Sequence, residues 1–192
     1  MIQVKQILHC LEQAAPYELA EHWDNVGLLV GDPEARVEGV LCALDITETV
    51  VEEAAERGCN VIVAHHPVIF TSVSRVTADT VTGRIVISMI QKGISGICMH
   101  TNMDCADAGV NDLLAASLGL TDVVNMGAGE GGNLGRVGNL PRPMTLEQFA
   151  QHVKLSLDAG GVRVADGGKM VRRVAVGGGA CGKMMDEAVA KG

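Results

Sequence analysis

Apolar positions recur along the chain with two different periods. Val4, Ile7, Leu8 and Leu11 follow the i, i+3, i+4, i+7 spacing of an amphipathic helix, and Pro16 stops it. A mixed stretch from Glu21 to Asp32 then reads as a loop feeding a short strand that ends at Gly31. Residues 37–46 form an apolar run, and Thr47 is placed to cap a helix over 49–57 that Gly58 stops. Residues 60–64 form a short, apolar strand, with His65-His66-Pro67 at its C-terminal end. A helical pattern over 77–92 closes at Gly93, a strand follows over 94–99, and a further helix over 110–118 closes at Gly119.

This strand–helix alternation over 37–119 predicts an α/β fold with a mostly parallel sheet and crossover helices. Right-handed crossovers place the C-terminal ends of such strands along one edge, where open α/β sheets bind ligands. Asp45, His65, His66, His100 and Asp104 all fall at that edge. Further on, the Gly-rich residues 126–139 read as a linker or a bulged edge strand. Thr145 caps a short helix, residues 162–165 and 171–176 are strand-like, 177–182 form a glycine turn, and 183–190 look helical. The expected organisation is a first α/β part over 1–125 and a second, incomplete one over 126–192. No repeat of 20–50 residues is visible.

Composition narrows the function classes. Of 192 residues, 47% are hydrophobic and only 2% aromatic, so the core must be aliphatic, as buried parallel strands require. A net charge of −8 without a basic cluster argues against a nucleic-acid partner. It also argues against an anionic membrane surface, and no apolar stretch reaches the roughly 18–20 residues that span a bilayer. The six cysteines are dispersed and form no CxxC, which reads as structural thiols in a reducing compartment, Cys42 and Cys98 as small buried residues. With no signal-like segment after Met1, the expected location is the cytoplasm.

The chemistry concentrates in few residues. Adjacent residues on a strand point to opposite faces, so His65 and His66 converge only where the strand ends. Imidazole suits Zn, Mn, Fe, Co or Ni, and a carboxylate can bridge two ions; ordinary loop histidines are the competing reading. Asp104 and His100 follow the next strand with His-x-x-x-Asp spacing. Asp104 fits a ligand or a helix cap, and His100 a ligand, an outer partner of a ligand or a proton shuttle. Asp45 ends its strand either as a functional carboxylate or as a cap in competition with Thr47. Gly177-Gly-Gly-Ala-Cys-Gly182 matches G-x-G-x-x-G but lacks the acidic residue about 20 positions on that a dinucleotide site needs, and reads as close strand–helix packing or a phosphate-accepting turn. A Ser-His-Asp elbow and a cysteine nucleophile motif are both missing.

Three segments together resemble one family: Trp23-Asp-Asn-Val-Gly-Leu28, Val61-Ile-Val-Ala-His-His-Pro67, and His100-Thr-Asn-Met-Asp104 with Gly109-Val-Asn-Asp. The turn at Val174-Ala-Val-Gly-Gly-Gly-Ala-Cys-Gly182 fits in order. The chain is similar to the Nif-three-like proteins, bacterial members of which carry the name GTP cyclohydrolase I type 2 homolog. The resemblance implies two related α/β parts, assembly as a toroidal homohexamer, and a site for up to two divalent metal ions. It assigns His65, His66 and Asp104 as metal ligands, with Asp104 the bridging carboxylate. Two further family ligands, from an H-x-x-x-E segment, have no counterpart in these 192 residues. One functional reading is metal-dependent hydrolysis of a nucleotide-like substrate by metal-bound water, with His100 or Asp45 as the catalytic proton shuttle, and the GTP cyclohydrolase label that the resemblance implies is an instance of it. The alternative is a non-catalytic, metal-stabilised scaffold, regulatory or metal-handling protein.

Overall fold

A computed structural model describes residues 1–127 and 134–192; the middle of the Gly-rich stretch, 128–133, lies outside the described residues. The chain divides into two compact units, Met1–Ala106 and Asp107–Gly192. This division falls ahead of the sequence-based boundary at 125/126.

The first unit is built on a four-stranded sheet in the order β1-β4-β3-β2, from Gly27–Val30, Val40–Ala43, Val61–Ala64 and Ser95–Cys98 numbered in chain order. Strands β2, β3 and β4 are parallel, as the alternation predicts. Three helices pack on it: α1 (Val4–Ala14), α2 (Glu48–Glu56) and α3 (Val81–Gln91). Thr47 caps α2, its side chain accepting from Val50 N at 3.2 Å, so Asp45 is released from that role. The pattern over 77–92 becomes helix only from Val81, because Thr80 caps it through Gly83 N.

Period-two alternation in β3 divides the core into layers. Ile62 and Ala64 join Val51, Ala54, Ile85, Val86 and Met89 under α2 and α3. Val61, with Ile97 of β4, packs with Val4, Ile7, Leu8 and Leu11 of α1 on the other face. The layers are aliphatic, as the scarcity of aromatics demands. Cys98 is buried, but Cys42 is exposed, contrary to expectation, because β2 is an edge strand that alternates outward.

Strand β1 runs antiparallel to β4, pairing Gly27 with Cys98 and Leu28 with Ile97. It ends at Gly31, which has a φ of +121°, and a Cβ there would lie 2.8 Å from Ser95 Cα, so only glycine fits. The reversed direction carries the segment preceding β1 to the edge where the parallel strands end.

The second unit holds α5 (Val110–Ser117), β5 (Thr121–Asn125), β6 (Gly135–Met144), α6 (Leu146–Ser156), β7 (Val171–Gly177) and α7 (Met185–Ala190); the intervening α4 (Thr101–Cys105) belongs to the first unit. Its sheet, β5-β6-β7, is antiparallel. Residues 135–139, read as linker or edge, lie in the central strand. Val137 and Leu140 are buried in it, and Gly138 lets Leu120 and Val123 approach where a Cβ would clash. Residues 162–165 form no strand; Val162 and Val164 line a cleft with Leu146 and Ala150 of α6 and make no ladder. Residues 183–190 divide between a 3-10 turn, Cys181–Met184, and α7. Thr145 caps α6 in a reciprocal box with Gln148. Among the described residues no helix is long and apolar enough to cross a membrane.

Candidate metal centre

The parallel registers bring the strand ends level. Ala43 pairs with Ala64, and Ala64 with Cys98. The ladder continues one step past each strand: His65 N donates to Ala43 O at 3.3 Å, His66 N to Leu44 O at 2.9 Å, and Met99 N to Ala64 O at 2.9 Å. Asp45, His65, His66 and His100 therefore emerge side by side.

A ring nitrogen from each of His65, His66 and His100 lies within 4.8 Å of the other two, and the ring centroids are 5.1, 5.1 and 5.7 Å apart. Each imidazole is held by its Nδ1. That of His65 contacts Met99 O at 3.0 Å. The His66 Nδ1 contacts Asp45 Oδ1 at 2.7 Å, and the His100 Nδ1 contacts Asp24 Oδ1 at 2.9 Å. A carbonyl or an ionised carboxylate only accepts, so each Nδ1 carries the proton and donates it. In the neutral ring, each is thereby fixed in the tautomer that leaves Nε2 as a lone-pair donor. Metal-ligating histidines have this outer arrangement.

Asp24 is the firmest of these partners. Its side chain is fully buried. Burial acts to raise its pKa, but hydrogen bonds from the Thr101 hydroxyl, His100, Thr101 N and Asn25 N outweigh it and hold the carboxyl below its ordinary value. Asp104 goes the other way. It lies on α4, not in a loop, with Oδ1 3.7 Å from His65 Nε2. Burial raises its pKa, the charge of Asp24 adds to this, and His65, His100 and His66 only partly offset it. The three imidazoles form a group that could hold a divalent cation, and a cation there would favour the carboxylate form of Asp104 beside His65.

His65, His66 and His100 are thus brought together, with His100 inside the cluster, and Asp104 stands beside it through His65. Asp45 stands behind His66 as its hydrogen-bond partner. Sequence reasoning assigned no role to Asp24 or Thr101. The Trp23-Asp-Asn motif was visible, but nothing in its pattern shows that β1 reverses and returns it to the histidines. In the 177–182 turn, Gly178 N donates to Asn111 Oδ1 at 2.8 Å, and a Cβ on Gly177 would lie 2.5 Å from Cys181 Sγ.

Asp24→Ala tests the outer arrangement. Without its acceptor, His100 loses its fixed tautomer, and divalent-ion affinity is expected to fall about 10–100-fold. Calorimetric titration of ion into chelator-stripped protein measures this; an unchanged affinity would remove Asp24 from the site.

An α/β chain with histidines of fixed tautomer at the end of a parallel sheet defines a class: proteins with a site competent to hold a metal ion. Within that class, the Duf34/NIF3 (NGG1p interacting factor 3) family model matches residues 2–192, and the chain belongs to this family. It is 36% identical over 196 residues to a GTP cyclohydrolase 1 type 2 homolog of Clostridium acetobutylicum, covering 100% of this chain and 73% of that protein. A Streptomyces coelicolor protein of the same name is 37% identical over 201 residues, covering 100% and 70%. Among solved structures, a Bacillus cereus protein related to NIF3 superposes with a TM-score of 0.91 at 29% identity, covering 100% of this chain and 80% of that one. The Staphylococcus aureus hypothetical protein SA1388 gives 0.88 at 32% identity, covering 99% and 76%.

Proposed function

We propose that the chain binds a divalent metal ion through His65, His66, His100 and Asp104 and hydrolyses a nucleotide-like substrate there. The observation that carries the reading is that all three imidazoles spend Nδ1 on an obligate acceptor and keep Nε2 for another partner. Three nitrogens and one carboxylate oxygen suit Zn, Mn, Fe, Co or Ni. An ion bound there supplies Lewis acidity and lowers the pKa of water toward neutrality.

The chain's own groups divide the remaining work. Asp24 and the Met99 carbonyl orient His100 and His65. Asp45, whose side chain is 54% exposed, accepts the hydrogen bond of His66 Nδ1 at Oδ1 while reaching solvent. It is therefore the carboxylate placed to exchange a proton with a substrate at this edge. The name GTP cyclohydrolase 1 type 2 homolog, carried by relatives at 36–37% identity, makes formate release from GTP the first reaction to assay.

The test compares chelator-stripped protein with protein reloaded separately with each of the five ions. Elemental mass spectrometry is expected to find roughly one ion per chain or more. Formate or phosphate release from nucleotides is expected only in the reloaded samples. Binding that raises the unfolding temperature without turnover across a nucleotide panel would favour a metal-stabilised scaffold. No retained ion under any loading would overturn the site.

A further inference from the structure

The chain has one Trp, one Tyr and two Phe. Tyr17 packs against the Ala15, Met99 and Ala106 cluster, and Phe149 packs in the second unit's core. The remaining two, Trp23 and Phe70, are 49% and 51% exposed. They lie edge to face with centroids 6.0 Å apart, and each is edge-on to His100, at 6.4 and 6.3 Å. A single exposed apolar side chain is ordinary. Two large aromatics left open side by side against a histidine of the candidate centre, in a chain whose other two aromatics are partly buried against apolar clusters, form a surface shaped for a ligand.

The corner is held in place before any ligand arrives. Asn25 Nδ2 donates to Ile69 O at 2.6 Å, which ties the segment carrying Trp23 to the segment carrying Phe70. Asp24, between Trp23 and Asn25, is fixed to His100 and to Thr101 N at 2.9 and 3.0 Å. Three consecutive residues thus supply a ring wall, a histidine anchor and a loop tie. Such preorganisation lowers the ordering cost of binding.

We propose that Trp23 and Phe70 are specificity-determining residues that form an aromatic clamp, receiving a flat heteroaromatic ring beside the histidine centre. The inference rests on the proposed metal-dependent reading for its substrate class, a purine nucleotide. Three rings meeting edge to face present π-surfaces that a planar heteroaromatic ring can stack on or meet edgewise. A cationic ligand is disfavoured there once a divalent ion occupies the histidines, since like charges repel at this range.

Trp23 is the chain's sole tryptophan, so its fluorescence reports on this corner alone. Metal-reloaded and chelator-stripped chains are titrated with guanosine monophosphate, adenosine monophosphate and, as a ring-less control, ribose 5-phosphate. Both nucleotides are expected to shift the emission saturably, with ribose 5-phosphate at least roughly tenfold weaker. Phe70→Ala is expected to weaken nucleotide binding by roughly tenfold or more, and Phe70→Tyr to restore it. Trp23→Ala and Trp23→Phe, followed by calorimetry, should show the same loss and rescue. Metal content should match wild type in all four variants.

Equal binding of ribose 5-phosphate, no nucleotide binding at all, or wild-type affinity in Phe70→Ala would overturn the clamp, even with metal content intact. Clamp-dependent nucleotide binding in a chain that takes up no metal would instead overturn the metal reading and leave the clamp standing.

Discussion

His65→Ala is expected to strip the chain of its divalent ion at concentrations that saturate wild type. The side chain carries two roles at once. Its Nδ1 is secured by Met99 O, and its Nε2 is the ring nitrogen 3.7 Å from Asp104 Oδ1, so it links the imidazoles to the buried carboxyl. Its removal takes away a donor atom, and the loss should exceed the roughly 10–100-fold that deletion of an outer hydrogen-bond partner costs. Two measurements check it. Elemental mass spectrometry should find the ion absent after dialysis. Thermal unfolding should also lose its dependence on added metal, because an ion present at about 100 times its Kd stabilises the folded state by about 2.7 kcal/mol and a non-binding variant gains nothing. Asp104→Ala should reproduce both results. If His65→Ala retains a full complement of metal, His65 is not a ligand.

Ile62→Ala is expected to cost about 2–5 kcal/mol of stability, the range for truncating a fully buried aliphatic side chain. Ile62 has no exposed surface and sits in β3, with β2 and β4 as its neighbours, under the helical layer that includes Val51, Ala54 and Met89. Of its partners in register, Leu41 and Gly96, the glycine has no side chain to move into a void. Against a total of about 5–15 kcal/mol for an ordinary domain, this is a large fraction. Urea denaturation followed by circular dichroism reads it as a lower midpoint at unchanged slope. The cost should reach the centre too, because β3 runs directly into His65. A loss under about 1 kcal/mol would mean that the site collapses around the void and that the layer is looser than its burial indicates.

The parallel half of the first sheet was legible because each of its strands is short, apolar and followed by a turn signal and a helical period. Val61–Ala64 is the clearest case, and a parallel sheet leaves one outcome for its C-terminal residues, the shared edge. Hence His65, His66 and His100 could be grouped from the sequence. Direction and partnership were not legible. Nothing in Gly27–Val30 states that it pairs antiparallel with β4, and that pairing alone returns Asp24 to His100. Cys42 belongs to an apolar run yet is exposed, since a run does not say which strand ends the sheet. The second unit was harder to read for a local reason. Strand β6 contains Gly135, Gly138, Pro141 and Pro143, residues that break strand patterns elsewhere, and its register shifts between Asn139 and Met144. Val162 and Val164 erred the other way: strand-like composition without a ladder to join.

The three histidines differ in what fixes them. His66 and His100 depend on aspartate side chains, which substitution can remove or exchange. His65 depends on the carbonyl of Met99, and every residue type supplies a carbonyl at that place. The set therefore has one member guaranteed by main-chain register and two that can be retuned one codon at a time. Sequence drift at Asp24 or Asp45 can adjust basicity, and with it ion preference, while His65 holds its orientation for as long as β3 and β4 stay in register.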